Sequence, residues 1–195
     1  MYLKFFLMLF AGYLPAYMIL VFFLKTKIKK YTMRSHVVSL LATGRKPWGM
    51  VFNTTTALYG LLSIILPISV IWILGINIFT ILGALSLLTV GWATILVGIF
   101  PMDKKAQTHE LVSRISFVSV LLVGLIFLWI FNSNNFMLII KILNILIVIV
   151  TILLCINAAV KKRTNPVLEW LSFMGTIIWN FLLAVSFLIM LANIA

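Results

Sequence analysis

Long apolar stretches alternate with short basic segments along the whole chain. Thirteen of the fifteen Lys and Arg residues lie in the segments 25–46, 104–114 and 161–163, and the other two are Lys4 and Lys141. A soluble protein distributes charge over its whole surface, whereas this chain confines charge to alternate connections between apolar stretches. Only 9% of its residues are charged, against roughly a quarter in globular proteins. The pattern predicts an integral membrane protein.

The lengths of the apolar stretches predict the fold. A hydrocarbon layer about 30 Å thick requires roughly 20 apolar residues in a helix, because lipid offers no partner to an open backbone group. We therefore predict an all-α polytopic membrane protein, a single domain of six transmembrane helices at approximately 5–24, 49–74, 76–100, 112–131, 136–160 and 167–192. Pro67 predicts a kink in the second helix, and Asn165 followed by Pro166 predicts the start of the sixth.

The basic residues also predict the orientation. Seven, three and three of them follow the first, third and fifth helices, and short cytoplasmic loops carry the Lys/Arg excess. We expect a multi-pass protein of the bacterial cytoplasmic membrane with both termini outside and a basic cytoplasmic loop at 25–48. Trp48 and Trp170 then fall at the cytoplasmic boundary, where interfacial aromatic residues are enriched.

The net charge of +12 bears on the partners. Because the cations flank apolar segments, they indicate attraction to anionic lipid headgroups and not to nucleic acid. A membrane-protein partner or a second copy of the chain stays an open alternative. Within the first loop, we expect four apolar residues to face the acyl boundary: Ile28, Tyr31, Val38 and Leu41.

Small residues recur on one face of the third helix. Ala84, Gly91 and Gly98 are spaced seven residues apart, and Thr94 lies on the same face. Small residues in register let helix backbones approach closely in lipid, so this face predicts helix packing. The alternative is the lining of a narrow pore.

Polar residues inside the apolar segments are candidates for ligand contact. Asn53 opens the second helix with Thr54 beside it and Trp48 one turn earlier, and we take these three as candidate ligand-binding residues. Asn144, Asn157 and Asn180 either bond between helices or line a polar pathway. No ionisable residue falls at the predicted membrane midplane, which argues against an ion-coupled carrier.

The remaining chemistry lies at the cytoplasmic face. His36, Asp103 and His109 are of the types that bind a metal or act as acid–base groups, but their spacing matches no zinc motif. We therefore expect no metal and no cofactor, and these residues stay the only catalytic candidates. In the alternative, Asp103 caps a turn and Thr108 N-caps the fourth helix. Glu169 complements the dipole of the sixth helix.

Several ordered motifs resemble a family of small prokaryotic membrane proteins known only as domain of unknown function 998. They are Ser39 and Gly44 before Pro47, Phe52-Asn53 opening a helix, Gly98-x-Phe100-Pro101-x-Asp103, and His109. The resemblance covers about residues 35–130, and there is a looser likeness to the Frag/DRAM/Sfk-type proteins. It implies a six-helix bundle and a shared inner-face cluster of Asn53, Asp103 and His109.

Three functions fit these features. We favour a non-enzymatic membrane protein that binds lipid or a membrane partner, such as a subunit of a transport or peptide-resistance system. The first alternative is an intramembrane enzyme acting on lipid, with His109 and Asp103 as reactive groups. The second is a small-solute carrier or channel lined by Thr54 and the three asparagines at 144, 157 and 180.

Overall fold

The computed structural model describes residues 2–28, 31–43, 47–102, 105–134, 136–161 and 164–194. Seven α-helices account for most of them: α1 (Tyr2–Lys27), α2 (Trp48–Ser63), α3 (Ile65–Leu74), α4 (Ile78–Ile99), α5 (Ala106–Ser133), α6 (Leu138–Lys161) and α7 (Pro166–Ile194). A short 3-10 helix spans Val38–Thr43 in the connection between α1 and α2.

Six helical segments are long and apolar enough to cross a membrane, with α2 and α3 together forming the second. Large apolar side chains remain exposed on every one of them, as a surface in contact with lipid requires. The prediction of an all-α, six-span membrane bundle is therefore confirmed.

The second span is interrupted where Pro67 predicts a kink. α2 ends at Ser63 and α3 begins at Ile65, so Ile64 separates them. Proline has no N–H to donate, and its ring clashes with the carbonyl four residues earlier, which is that of Ser63. Ser63 and Ser69 donate their hydroxyls to carbonyls of their own helices, at 2.7 and 2.8 Å. The prediction of a kink here is confirmed.

The helix ends follow local sequence at two connections. Asn77 caps α4 by accepting from the backbone N–H groups of Phe79 and Thr80, and Gly75 before it adopts a φ of 77°, which favours glycine. α7 begins at Pro166, and Asn165 accepts from Val167 N–H at 3.0 Å, as predicted.

The start of the fourth span differs from the prediction. α5 begins at Ala106 with Lys105 at the N-cap position and no side-chain cap. Thr108 lies inside the helix, so its assignment as an N-cap is wrong. The polar residues 107–110 form a regular helical turn that precedes the apolar stretch of α5. A prediction from hydropathy alone leaves this polar turn out of the helix.

The helices pack as a ring. Each span contacts the next in chain order, and α7 contacts α1, which closes the ring. Three connections meet at one end of the ring: 28–47, 100–105 and 162–165. We call this the basic end, because the segments that contain or flank these connections hold thirteen of the fifteen Lys and Arg residues.

The first of these connections folds into the bundle. Tyr31, Val38 and Leu41 are all buried within the protein core, so the expectation that they face the acyl boundary is wrong. Trp170 is also buried, and its Nε1 donates to Tyr31 Oη at 3.2 Å and to His36 O at 3.1 Å. It therefore anchors the connection to α7 instead of lying in an interfacial belt.

Candidate functional site

A cavity of about 410 Å³ opens into the basic end of the ring, and we call it the main cavity. α2, α4, α5 and α7 form its walls, and residues from all three connections of the basic end border it. Its apolar lining includes Phe52, Val90, Phe117 and Phe173. Pockets that bind small molecules usually occupy roughly 300–1,000 Å³ and combine an apolar wall with a few placed polar groups. The main cavity fits that description.

Glu169 is a buried polar group of this wall. The N-cap at Asn165 fixes the first turn of α7, and Glu169 lies at the end of that turn with 7% of its surface exposed. Its Oε1 accepts a hydrogen bond from the backbone N–H of Ser39 at 3.3 Å. The first connection therefore covers Glu169 and holds it beside the cavity.

His109 lies in the first turns of α5 and also lines the cavity. It is 4% exposed, and its Nδ1 donates to the carbonyl oxygen of Phe100 at 2.8 Å. This bond orients the ring and leaves Nε2 as the acceptor of the neutral imidazole. Within the described part of the chain, Nε2 has no hydrogen-bond partner.

The deeper part of the cavity is lined by hydroxyl groups that are tied into a network. Thr56 Oγ1 and Tyr17 Oη are 2.8 Å apart, and Asn180 Nδ2 donates to Tyr59 Oη. The rings of Tyr17 and Tyr59 stack with centroids 5.3 Å apart. These bonds join α1, α2 and α7 and give the cavity a fixed polar floor.

A small cavity of about 20 Å³ lies below this floor and shares Val90, Val120 and Thr176 with the main cavity. Trp179 Nε1 and Asn180 Oδ1, from residues bordering the small cavity, are buried without a partner. A cavity that holds one water molecule needs a volume of about 10–15 Å³. The small cavity therefore suits a single bridging water.

A second large cavity of about 430 Å³ adjoins the main one, and the two share Val37 and Thr164. Arg34, His36 and Lys161 line it, together with Asn157 of α6 and with Asn165, which directly precedes α7. We call it the basic cavity.

The two predicted histidines line different cavities. His36 borders the basic cavity, where its Nδ1 is 2.8 Å from Ser35 Oγ, whereas His109 borders the main cavity. Asp103 lies outside the described residues. Within the described part of the chain, no group of three His, Cys, Asp or Glu side chains could hold a metal ion.

The predicted ligand-binding residues lie elsewhere. Asn53 Oδ1 is buried without a partner, Thr54 is exposed, and Trp48 is partly buried with Lys27 Nζ 5.6 Å from its ring centroid. None of the three belongs to the described lining of these cavities. Their role in ligand binding stays a prediction.

The small residues of α4 lie in two places. A Cβ atom at Gly98 would be 2.5 Å from Asn53 O, and one at Gly91 would be 2.9 Å from Ser63 Oγ, so both glycines lie where α4 meets α2. Ala84 is buried. Thr94 lines the main cavity and donates its hydroxyl to Val90 O at 2.8 Å.

Two residues of the site are not singled out by the sequence. From the sequence, Glu169 is expected only to stabilise the dipole of its helix, and Tyr59 is an ordinary residue of an apolar segment. The sequence offers one indication for Glu169: it is the only charged residue of α7, a helix that starts at a defined cap.

Comparison with the curated proteins and with the solved structures gave no match. The family model described as "Protein of unknown function (DUF998)" matches residues 11–186, which is about nine tenths of the chain and includes both cavities. The protein therefore belongs to the DUF998 family of multi-pass membrane proteins.

Proposed function

We propose that the protein is a non-enzymatic membrane protein that binds a phospholipid at its basic end. The observation that supports this best is the juxtaposition of the two large cavities. One has a mostly apolar wall, the other carries Arg34 and Lys161, and they share a border at Val37 and Thr164. A phospholipid likewise joins an apolar part to a negatively charged phosphate, so one molecule could occupy both cavities.

The chemistry of each cavity assigns the parts of the ligand. Arg and Lys bind phosphate through charge-assisted hydrogen bonds, and each contributes about 1 kcal/mol near an anionic lipid surface. The phosphate therefore belongs in the basic cavity. Apolar parts of the ligand lie against Phe52, Phe117 and Phe173 of the main cavity, where burial contributes about 0.8 kcal/mol per CH₂ group.

The arrangement of the histidines favours binding over catalysis. An enzyme that uses His36 and His109 together needs both beside one reacting bond, but the two line separate cavities. His109 Nδ1 is bonded to a backbone carbonyl, which orients the ring without making it part of a charge relay.

A double variant tests the proposal. In Arg34→Ala/Lys161→Ala, the loss of two contacts of about 1 kcal/mol each weakens phospholipid binding about 30-fold. The readout is the fraction of chains that retain a phospholipid in native mass spectrometry after detergent extraction. The control Lys4→Ala/Lys141→Ala makes the same charge change at the other end of the ring and leaves retention unchanged. Equal retention in the two double variants, or no bound phospholipid in the wild type, contradicts the proposal.

The orientation belongs to the same proposal. The Lys/Arg bias places the basic end in the bacterial cytoplasm and both termini outside. Single cysteines at positions 30 and 162, in a Cys155→Ser background, should react with a membrane-impermeant thiol reagent only after the cells are opened. Labelling of either position in intact cells contradicts this orientation.

A carrier is the second candidate, because the small cavity beside Asn144 and Asn180 adjoins the main cavity. On the far side of these residues, the core is filled by fully buried aromatic rings of Phe127, Phe131 and Phe187. Transport would require this aromatic layer to open. Solute flux in liposomes that depends on Asn144 and Asn180 would favour the carrier over the binding protein.

A further inference from the structure

The charges around the main cavity are opposite to those of the chain. The chain has fifteen Lys and Arg residues and three acidic ones. Two of the three acids, Glu110 and Glu169, line the main cavity, and its described lining contains no Lys or Arg. The described lining of the cavity is thus acidic within a strongly basic protein.

The two acids differ in how their charges are compensated. Glu110 is exposed at the rim and forms an ion pair with Arg114 at 2.6 Å. That is the only ion pair among the described residues, so Glu169 has no described cationic partner within 4.0 Å. A buried carboxylate without a cation costs several kcal/mol in desolvation. A cationic group in the cavity would remove this cost.

His109 provides an independent observation. Its Nε2 is buried, has no partner among the described residues and can accept one hydrogen bond. The hydroxyls of Thr56, Ser172 and Thr176 line the same cavity as further acceptors. A primary ammonium group has three N–H donors, so it can donate one hydrogen bond each to a carboxylate, an imidazole nitrogen and a hydroxyl oxygen.

We propose that the main cavity binds a primary alkylammonium group, with Glu169 as its counter-ion and His109 Nε2 as a second acceptor. This inference rests on the proposed function and deepens it, because it assigns the bound phospholipid an ethanolamine-type headgroup. The phosphate of such a headgroup is two carbon atoms from the ammonium, and the adjoining basic and main cavities accept these two charges separately. A trimethylammonium group has no N–H to donate, so the cavity discriminates against choline-type headgroups.

The first arm of the test measures headgroup preference. Phosphatidylethanolamine, phosphatidylcholine and phosphatidylglycerol with identical chains are offered in equal amounts, and the bound lipid is identified by native mass spectrometry. Hydrogen bonds to charged groups contribute about 1.5–3 kcal/mol, so the wild type prefers phosphatidylethanolamine at least tenfold. Glu169→Gln loses this preference but retains total lipid, and Glu169→Asp keeps part of it.

The second arm needs no variant and separates the inference from the proposed function. Octylammonium, octyltrimethylammonium and octanol are titrated into the purified wild type, and binding is followed by calorimetry. The inference predicts that octylammonium binds at least tenfold more tightly than the other two. Octylammonium binding that depends on Glu169, without any phospholipid binding, supports the inference for a free amine and overturns the phospholipid proposal. Phospholipid binding without preference for an ammonium group in either arm overturns the inference and leaves the proposed function standing.

Discussion

The contact between α2 and α4 makes a sharp prediction at Gly60, in the last turn of α2. A Cβ atom at this position would lie 2.6 Å from Gly91 O and 2.7 Å from Ile95 N. Both are backbone atoms of α4, so no side chain can rotate away. Ordinary van der Waals contact begins near 3.4 Å, so Gly60→Ala requires the two helices to separate by about 0.8 Å.

The magnitude follows from packing. Overpacking of a well-packed contact costs about 1–3 kcal/mol, because protein interiors are as dense as organic crystals. Alanine recovers roughly 0.5–1 kcal/mol of this through its better helix propensity. The middle of the two ranges leaves a net loss, so we expect Gly60→Ala to lower the free energy of unfolding by about 1 kcal/mol, which changes the folded-to-unfolded ratio by a factor of roughly five.

Gly12→Ala in α1 is the matched control. A Cβ atom at Gly12 would meet nothing within 4 Å, so this variant gains the helix propensity without the collision. The assay is equilibrium unfolding by SDS in mild detergent, followed by tryptophan fluorescence and by helical circular dichroism. Gly60→Ala should unfold at a lower SDS fraction than the wild type, and Gly12→Ala at an equal or higher one. If the two variants unfold at the same SDS fraction, the close approach of α2 and α4 is refuted.

Three further predictions concern hydrogen bonds. Asn144→Leu removes the bond from Asn144 Nδ2 to Gly124 O (2.9 Å) and should cost about 0.6 kcal/mol in SDS unfolding; an unchanged midpoint counts against this link between α5 and α6. Trp170→Phe removes the bonds that anchor the first connection and should destabilise the protein by about 1 kcal/mol, whereas the same change at the exposed Trp92 should have no effect. Burial raises the pKa of the Tyr31 phenol above its ordinary value of 10.0, so its contribution to stability is complete below pH 10 and falls as the pH rises further. Tyr31→Phe should therefore lose stability less steeply than the wild type above pH 10, and parallel curves contradict the burial of this phenol.

The sequence predicts the number and type of the helices well, because lipid imposes simple rules on length and polarity. Pro67 and Asn165 locate a break and a helix start, since each acts on its own backbone within a few residues. The beginning of α5 is missed because a polar helical turn such as 107–110 has the same hydropathy as a loop.

The packing of the first connection could not be predicted from the sequence. In a bilayer, every face of a helix is apolar, so periodicity does not reveal which residues face the protein. Tyr31, Val38 and Leu41 could face either lipid or protein by composition. The structure buries them because Trp170, far along the chain, holds the connection against α7. Its indole N–H donates hydrogen bonds to Tyr31 Oη and His36 O.

The candidate site is only partly predictable for the same reason. His109 stands out because histidine is rare in this chain, and it does line the main cavity. By sequence, Glu169 is an ordinary first-turn carboxylate, and only the tertiary structure places Ser39, 130 residues earlier, against it. Its burial is a property of the tertiary structure and has no local sequence pattern.

An experimental density map of the protein in nanodiscs of bacterial lipid tests the central claim most directly. The account predicts elongated density inside the main cavity that reaches Glu169, continuous with a phosphate-sized peak beside Arg34 and Lys161. Lipid density confined to the outer surface of the ring, with both cavities closed by side chains, would contradict it.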